Sequence, residues 1–229
     1  MPNPDRVPRV CPGNLRSLVH GSNRENKLTD GPSDSRYALS FTSGALLGRE
    51  ASVAAPLYLQ LRDWNEVREL VTAENLLQAR TEASGHRLVR ETVQRLEVLS
   101  DEELELFVES TASERGHLLW AAACRRYALI GEFAEEVLRE KFLLMTPTLS
   151  RDDFDSFIRG KSIWHEELTA LEESTLRKLR ATLFRMLTEA GLLLEGGRVI
   201  ETIMSSRVSD LLAKRSPSDL RFFPIRVVE

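Results

Sequence analysis

Cysteine is scarce in this chain of 229 residues, which contains only Cys11 and Cys124. The two are far apart and neither belongs to a CxxC motif, so the sequence supports neither a disulfide framework nor a zinc knuckle. The four histidines are scattered too, and no two of them have the i, i+4 spacing of a helical metal site. We therefore expect neither a metal site nor a cofactor.

Long hydrophobic runs are also missing. The longest, "LLWAAAC", covers Leu118 to Cys124 and is closed by two arginines. A transmembrane helix needs roughly 20 apolar residues, so this run is better interpreted as a buried helix, and we expect no membrane partner. Because no apolar segment follows Met1, we expect no signal peptide and a cytoplasmic protein.

The sequence patterns of common enzymes are absent as well. There is no P-loop, GxSxG, HExxH or dinucleotide-binding fingerprint, and no paired-carboxylate nuclease cluster. The stretch "DDFD", Asp152 to Asp155, could suggest a metal site. It follows a predicted helix start, however, where acidic residues are favoured by the helix dipole. The sequence therefore predicts a protein without enzymatic activity.

Composition divides the chain into an N-terminal segment and a helical remainder. Residues 1–36 contain five of the nine prolines and no aromatic residue. A segment with so little surface to bury is typical of a disordered extension. For the remainder we predict two helical subdomains, residues 37–112 and 113–229.

Helical periodicity dominates after residue 36, and the fold class is predicted to be mainly α, a helical bundle with helix-turn-helix-like units. The predicted helix starts are residues with capping side chains: Ser43, Asp63, Ser84, Ser100, Ser150 and Ser174. Two of them are predicted to form capping boxes, Asp63 with Glu66 and Ser100 with Glu103, and Ser150 is paired with Asp153. Gly131 is predicted to end a helix that begins near Glu114. Strand signal is confined to the surroundings of Gly196-Gly197, a dipeptide typical of a tight β-hairpin turn.

Charge is segregated along the chain, whose formal net charge is -4. The stretch from Glu97 to Glu114 contains seven acidic residues and no basic one, whereas Ser174 to Thr188 contains four basic residues and no acidic one. Because electrostatic attraction depends on the local field, an acidic average does not exclude a polyanionic partner.

The basic stretch predicts an amphipathic helix followed by a β-hairpin. When its leucines face the core, Lys178 and Arg185 point away from it, while Arg177 and Arg180 lie toward one flank. With two helices before it and a hairpin tipped by Arg198 after it, the order is that of a winged helix-turn-helix, whose third helix enters the major groove of DNA. A solvated surface helix, or a winged helix that binds protein, remains the alternative.

A second basic helix is predicted between Ala79 and Leu96. Arg87 and Arg90 lie opposite its apolar face, and Arg80 stands near its start. Since two predicted helices precede it, it is also the third of a trio, and a second helix-turn-helix-like unit is expected. An ordinary bundle helix is the alternative.

Several segments, in this order, resemble the BrxA family, a small component of the BREX (bacteriophage exclusion) systems. The resemblance extends from about residue 37 to residue 225 and rests on "YALSFTSGALLGRE" (37–50), "ENLLQARTEASGHRLVRE" (74–91), "LLWAAACRRYALIGEFAEEVLREKF" (118–142), "LRKLRATLFRMLTEAGLL" (176–193) and "SPSDLRFFPI" (216–225).

The resemblance implies a non-enzymatic, mainly helical protein that binds double-stranded DNA. It also implies neighbours within the system, namely a methyltransferase, an ATPase and a phosphatase-like protein. The basic positions that it carries over lie in its second and fourth segments: Arg80, Arg87, Arg90, Arg177, Lys178 and Arg185. The alternative is a scaffold that docks other BREX proteins and contacts DNA only incidentally.

Overall fold

The structure, a computed structural model, describes residues 36–42 and 44–226. The predicted extension, residues 1–36, lies outside this part of the chain except for Arg36. The described residues are mainly helical, as predicted. The α-helices are α1 (Gly48–Leu61), α2 (Trp64–Ala73), α3 (Glu82–Leu96), α4 (Asp101–Glu109), α5 (Ala112–Arg126), α6 (Ala128–Phe133), α7 (Glu140–Leu143), α8 (Arg151–Lys161), α9 (Glu166–Thr169), α10 (Glu173–Glu189) and α11 (Ser206–Ala213).

Two further helical segments complete the description. A π-helical segment, Ala134–Arg139, connects α6 to α7. A 3₁₀ turn, Asp219–Phe222, follows α11. In the described part of the chain, no helix is long and apolar enough to cross a membrane.

Three of the predicted helix starts are confirmed by side-chain caps. The Asp63 carboxylate accepts a hydrogen bond from the Asn65 amide at the start of α2, although the capping box predicted with Glu66 is not formed among the described residues. Ser100 with Glu103 and Ser150 with Asp153 form capping boxes at α4 and α8, in which each side chain bonds the other residue's backbone amide. These short-range patterns can be read from sequence because each involves residues only two or three positions apart.

Other predicted starts were wrong by a few residues. The N-cap of α3 is Thr81, and Ser84 is its capping-box partner three residues later. The basic helix α10 begins at Glu173, ahead of Ser174, without a side-chain cap. The cap predicted at Ser43 lies outside the described residues.

The prediction that Gly131 ends a helix was also wrong. Helix α5 ends at Arg126 because Tyr127 adopts an extended backbone conformation, with φ -122° and ψ 99°. Gly131 then lies inside α6, against the end of α5. A β-carbon at Gly131 would lie 3.0 Å from the carbonyl oxygen of Cys124, so this glycine permits a close helix approach rather than a helix end.

The predicted β-hairpin of the winged helix is not formed, since the described residues contain no strand. Gly196 and Gly197 make the turn, with φ values of 82° and 84°, but only two isolated bridges flank it, Leu193–Val199 and Thr148–Arg198. The reason is competition: the Gly197 carbonyl accepts a hydrogen bond from the Leu149 amide (2.7 Å), so part of the ribbon pairs with residues 147–149 instead.

Helix α5 forms the centre of the hydrophobic core. Its Trp120 is fully buried, and the indole Nε1–H donates a hydrogen bond to the carbonyl of Phe222 (2.9 Å). Helices α3, α4, α10 and α11 all pack against α5, and the described residues form one compact unit. The predicted subdomain boundary between residues 112 and 113 falls at the start of α5 and stays a prediction.

Candidate nucleic-acid interface

Helix α3 carries the first of two exposed basic surfaces. Its inner face is formed by Val89, Val93 and Leu96, which are buried as predicted. Arg87 and Arg90 are exposed on the opposite face. Within residues 36–42 and 44–226, neither arginine forms an ion pair or a hydrogen bond, so both guanidinium groups are free to bind an external anion.

An open groove of about 660 Å³ lies between α2 and α3 beside these arginines. Arg68 and His86 also line it, and Arg68 is ion-paired with Glu97. Sequence reasoning missed these two residues, although the expected packing of α2 on α3 would have brought Arg68 beside the basic face. An adjacent pocket of about 290 Å³ is lined in part by the third predicted arginine of this region, Arg80, which is also exposed.

Helix α10 carries the second basic surface. Leu179, Leu183 and Leu187 are buried against the core, as the helical periodicity predicts. Lys178 and Arg185 are exposed on the outer face, and neither has a polar partner among the described residues. The predicted orientation of these two side chains is therefore confirmed.

The two flanking arginines of α10 are less available. The guanidinium of Arg180 donates to both oxygens of the Asp155 carboxylate, at 2.7 and 2.5 Å, and its side chain is only 18% exposed. Arg177 is exposed, and its Nε lies 3.7 Å from the Glu173 carboxylate. Arg180 therefore serves mainly to join α8 to α10, which the helical wheel of α10 alone could not show.

The surroundings of α10 depart from a regular winged helix-turn-helix. Residues 162–172, including the single-turn α9, separate α8 from α10, whereas the two helices of the motif are usually joined by a turn of about 3–4 residues. Arg198 is exposed on the short ribbon. Arg151 is exposed at the first residue of α8. It was not among the predicted DNA-binding residues, because the stretch that follows it, Asp152 to Asp155, is acidic.

Many cations elsewhere on the surface are paired with acidic residues. On α4, Asp101 pairs with Arg62, and Glu102 pairs with Lys214. Burial alone would raise the pKa of Glu103, but hydrogen bonds from the Arg125 guanidinium and the Ser100 amide hold that pKa below its ordinary value. On α3 and α10, by contrast, exposed cations have no acidic partner among the described residues: Arg87, Arg90, Lys178 and Arg185. Such an arrangement attracts polyanions.

The fold and these two surfaces define a mainly α-helical protein with two exposed basic helices and a single core around α5. A family model described as BrxA matches residues 35–216. The chain therefore belongs to the BrxA family.

Curated relatives agree with this assignment, and one solved structure shares the fold. A BREX protein BrxA of Paramagnetospirillum magneticum is 26% identical over 68% of this chain and 78% of its own length. One from Bacillus cereus is 28% identical over 59% of this chain and 69% of its own. The crystal structure of an uncharacterized protein from Magnetospirillum magneticum has a TM-score of 0.70 and covers 83% of this chain and 99% of its own, at 23% identity. This last likeness shows the fold.

Proposed function

We propose that the protein is a non-enzymatic, double-stranded DNA-binding component of a BREX phage-exclusion system that acts in the cytoplasm. The relatives that share its family are named as BREX proteins, which supports the place in such a system. The basic residues of α3 and α10 support the choice of DNA as the ligand.

The observation that carries the proposal is the pairing state of the exposed cations. Arg87, Arg90, Lys178 and Arg185 are exposed, and within the part of the chain that the structure describes none of them is neutralised by an acidic side chain. A cation of this kind can replace a counterion on a phosphate, and the released counterions supply most of the affinity of sequence-independent DNA binding. No base-reading contact is needed for such binding.

The direct test is the affinity for random-sequence duplexes over a series of salt concentrations. Each neutralised phosphate contributes a slope of about -0.9 to the plot of log affinity against log salt. We expect a slope that corresponds to several phosphates. A slope that corresponds to only one or two phosphate contacts would indicate incidental binding. ATP hydrolysis, DNA cleavage or DNA methylation that co-purifies with the protein would contradict the proposal that it is not an enzyme.

An adaptor that docks other BREX proteins is the second candidate. It is favoured by Ile163 and Trp164, two adjacent apolar residues between α8 and α9 that are 74% and 72% exposed. Exposed tryptophan is enriched among the residues that dominate protein interfaces. Binding to the purified methyltransferase, ATPase or phosphatase-like protein of the same system would test it. Trp164→Ala should weaken that complex, and Lys178→Glu/Arg185→Glu should not.

A further inference from the structure

The groove between α2 and α3 continues into a smaller pocket of different chemistry. Thr72 on α2 and Val89 on α3 line both spaces, so the groove of about 660 Å³ and the pocket of about 290 Å³ meet at these two residues. We call the two spaces together the α2–α3 cleft. Small-molecule sites in proteins are concave, combine apolar walls with a few polar groups, and have volumes of about 300–1,000 Å³. The size of the α2–α3 cleft is therefore that of a small-molecule site.

The groove end of the α2–α3 cleft is cationic. It is lined by Arg68, His86, Arg87 and Arg90, and within the described part of the chain no acidic residue lines it. Arg87 and Arg90 are three residues apart on α3, so their side chains lie on the same face of the helix. Guanidinium groups bind phosphate through two parallel, charge-assisted hydrogen bonds. This end of the cleft therefore suits one or more phosphate groups.

The pocket end of the α2–α3 cleft is apolar inside and polar at its rim. Val71, Leu77 and Val89 line it and are at most 7% exposed. At the rim, the side-chain amide of Asn75 donates a hydrogen bond to the carbonyl of Ala79 (3.2 Å) and accepts one from the amide of Ala79 (2.9 Å). These bonds fix the side chain and leave it one N–H and one oxygen lone pair for a ligand. An uncharged ring that carries donors and acceptors, such as a nucleobase, fits these surroundings.

The wall of the pocket is held in a strained conformation. Asn75 and Gln78 have left-handed backbones, with φ values of 45° and 53°. Such conformations are uncommon for residues other than glycine, and they persist where neighbouring contacts enforce them, often at ligand-binding sites. Here the Gln78 side chain accepts a hydrogen bond from Arg49 (2.5 Å), and the amide of Leu76 donates one to the carbonyl of Val71 (3.1 Å). The pocket is therefore preformed.

We propose that the α2–α3 cleft binds a nucleoside phosphate, with the base in the pocket and the phosphate on Arg87 and Arg90. Neither end alone selects this ligand, since the groove accepts any phosphate and the pocket accepts any small uncharged ring. A free nucleotide and a single nucleotide unstacked from a strand offer the same chemistry. The site goes beyond the proposed DNA-binding function, because the bases of a duplex are stacked inside it and cannot enter the pocket. The bound nucleotide would compete with a duplex for the two arginines.

The first test compares ligands of the unaltered protein by isothermal titration calorimetry. The nucleotide probes are ATP, GTP, CTP, UTP and a single-stranded trinucleotide, and the controls are the free nucleosides and inorganic tripolyphosphate. We expect at least one nucleotide probe to bind about tenfold more tightly than tripolyphosphate and than its nucleoside. Tight binding of a triphosphate identifies a free nucleotide as the ligand, and tight binding of the trinucleotide alone identifies a nucleotide of a strand. If either control binds as tightly as every nucleotide probe, the proposal is overturned.

The second test separates the two ends of the cleft by mutation. Thr72→Trp places a large side chain where the pocket meets the groove. It should lower nucleotide affinity to that of tripolyphosphate and leave tripolyphosphate binding unchanged. Ala73→Trp is the matched control and should change neither, because Ala73 is the next residue of α2, is exposed, and lines neither space. Arg87→Gln/Arg90→Gln should weaken the binding of nucleotide and tripolyphosphate alike. A folded Thr72→Trp variant that keeps the full nucleotide affinity would contradict the proposal.

Amide chemical shifts locate the ligand without any mutation, so this result does not depend on how well Thr72→Trp folds. The nucleotide probe that binds should shift the amides of Thr81 and Gly85, which line the pocket, and that of Arg90, which lines the groove. Tripolyphosphate should shift only the amide of Arg90. If no probe shifts the pocket amides, the proposal is overturned, whatever the affinity of the protein for duplex DNA. Loss of duplex binding alone would instead overturn the DNA-binding function and leave this site intact.

Discussion

One guanidinium nitrogen of Arg180, Nη1, donates to both carboxylate oxygens of Asp155, at 2.7 and 2.5 Å, and this ion pair joins α8 to α10. Arg180 lies on the same helix as Lys178 and Arg185, yet its charge is already balanced by this carboxylate. The acidic residue therefore keeps one cation of the α10 surface from binding phosphate.

Releasing Arg180 should strengthen DNA binding. We expect Asp155→Asn to raise duplex affinity by about two- to threefold and to steepen the salt dependence by about 0.9, the contribution of one more phosphate contact. Asp152→Asn is the matched control, because Asp152 is exposed on the same helix and its loss changes the net charge equally without releasing an arginine. Equal effects of the two variants would show that only net charge matters.

Reversing the outer charges of α10 should weaken DNA binding. Lys178→Glu/Arg185→Glu is expected to lower duplex affinity at least tenfold, about 1.4 kcal/mol. The fold should survive, since no buried surface is removed. Circular dichroism checks the fold, and a gel shift measures the affinity.

The control for that variant makes the same change of net charge elsewhere. Arg62→Glu/Lys214→Glu alters two exposed cations that pair with acidic residues of α4, and it should leave binding within a small factor of the unaltered protein. If the α10 variant stays folded and binds as tightly as before, α10 is not the DNA-binding element. Arg87 and Arg90 would then be the residues to reverse.

The buried ion pair of α3 should be important for stability. Arg95 and Glu91 are both buried and pair at 2.8 Å. Arg95→Met leaves the Glu91 carboxylate buried without this partner and is expected to reduce the free energy of unfolding by about 3–5 kcal/mol. Arg62→Met breaks an exposed pair and should cost no more than about 1 kcal/mol. Urea denaturation measures both, and similar small losses would contradict the expected contribution of the buried pair to stability.

Stability should fall in mild acid because of His117. Burial lowers the pKa of this imidazole below its ordinary value of 6.5, against the opposing effect of the Glu114 carboxylate, and its Nδ1 has no hydrogen-bond partner among the described residues. The folded protein thus keeps His117 neutral while the unfolded chain takes up a proton, so stability is lost as the pH falls from 6.5 toward the lowered pKa.

The measurement is the melting temperature between about pH 7 and pH 5. His117→Phe should flatten the profile over this range. His86→Ala should leave it unchanged, since His86 is 58% exposed at its side chain. An equally steep profile in the His117→Phe variant would assign the acid sensitivity to other groups.

The helices and their basic faces could be predicted from sequence because they depend on local patterns. The 3.6-residue period placed Val93 and Leu183 inside and Arg90 and Lys178 outside, and short-range caps marked the start of α4 and α8. The exposed position of Lys178 could be predicted from the periodicity of its own helix alone.

Features set by tertiary contacts could not be predicted in this way. The pairing of Arg180 with Asp155 joins two helices, and the ribbon after α10 is limited by hydrogen bonds to residues 147–149. Helix α5 ends before Tyr127, whose hydroxyl donates a hydrogen bond to the distant Glu91 carboxylate. No local sequence pattern near Tyr127 predicts this helix end. The packing of Gly131 against Cys124 depends on that same break.

The buried position of Cys124 has a practical consequence for measuring distances. Burial raises the pKa of its thiol well above the ordinary value, and thiol-specific reagents attack the thiolate form of accessible cysteines. Cys124 can therefore stay in place while Cys11 is replaced, and new cysteines at Ala83 and Ala181 would accept spin labels selectively. Such a doubly labelled protein would report the separation of α3 and α10 in solution, with and without a duplex.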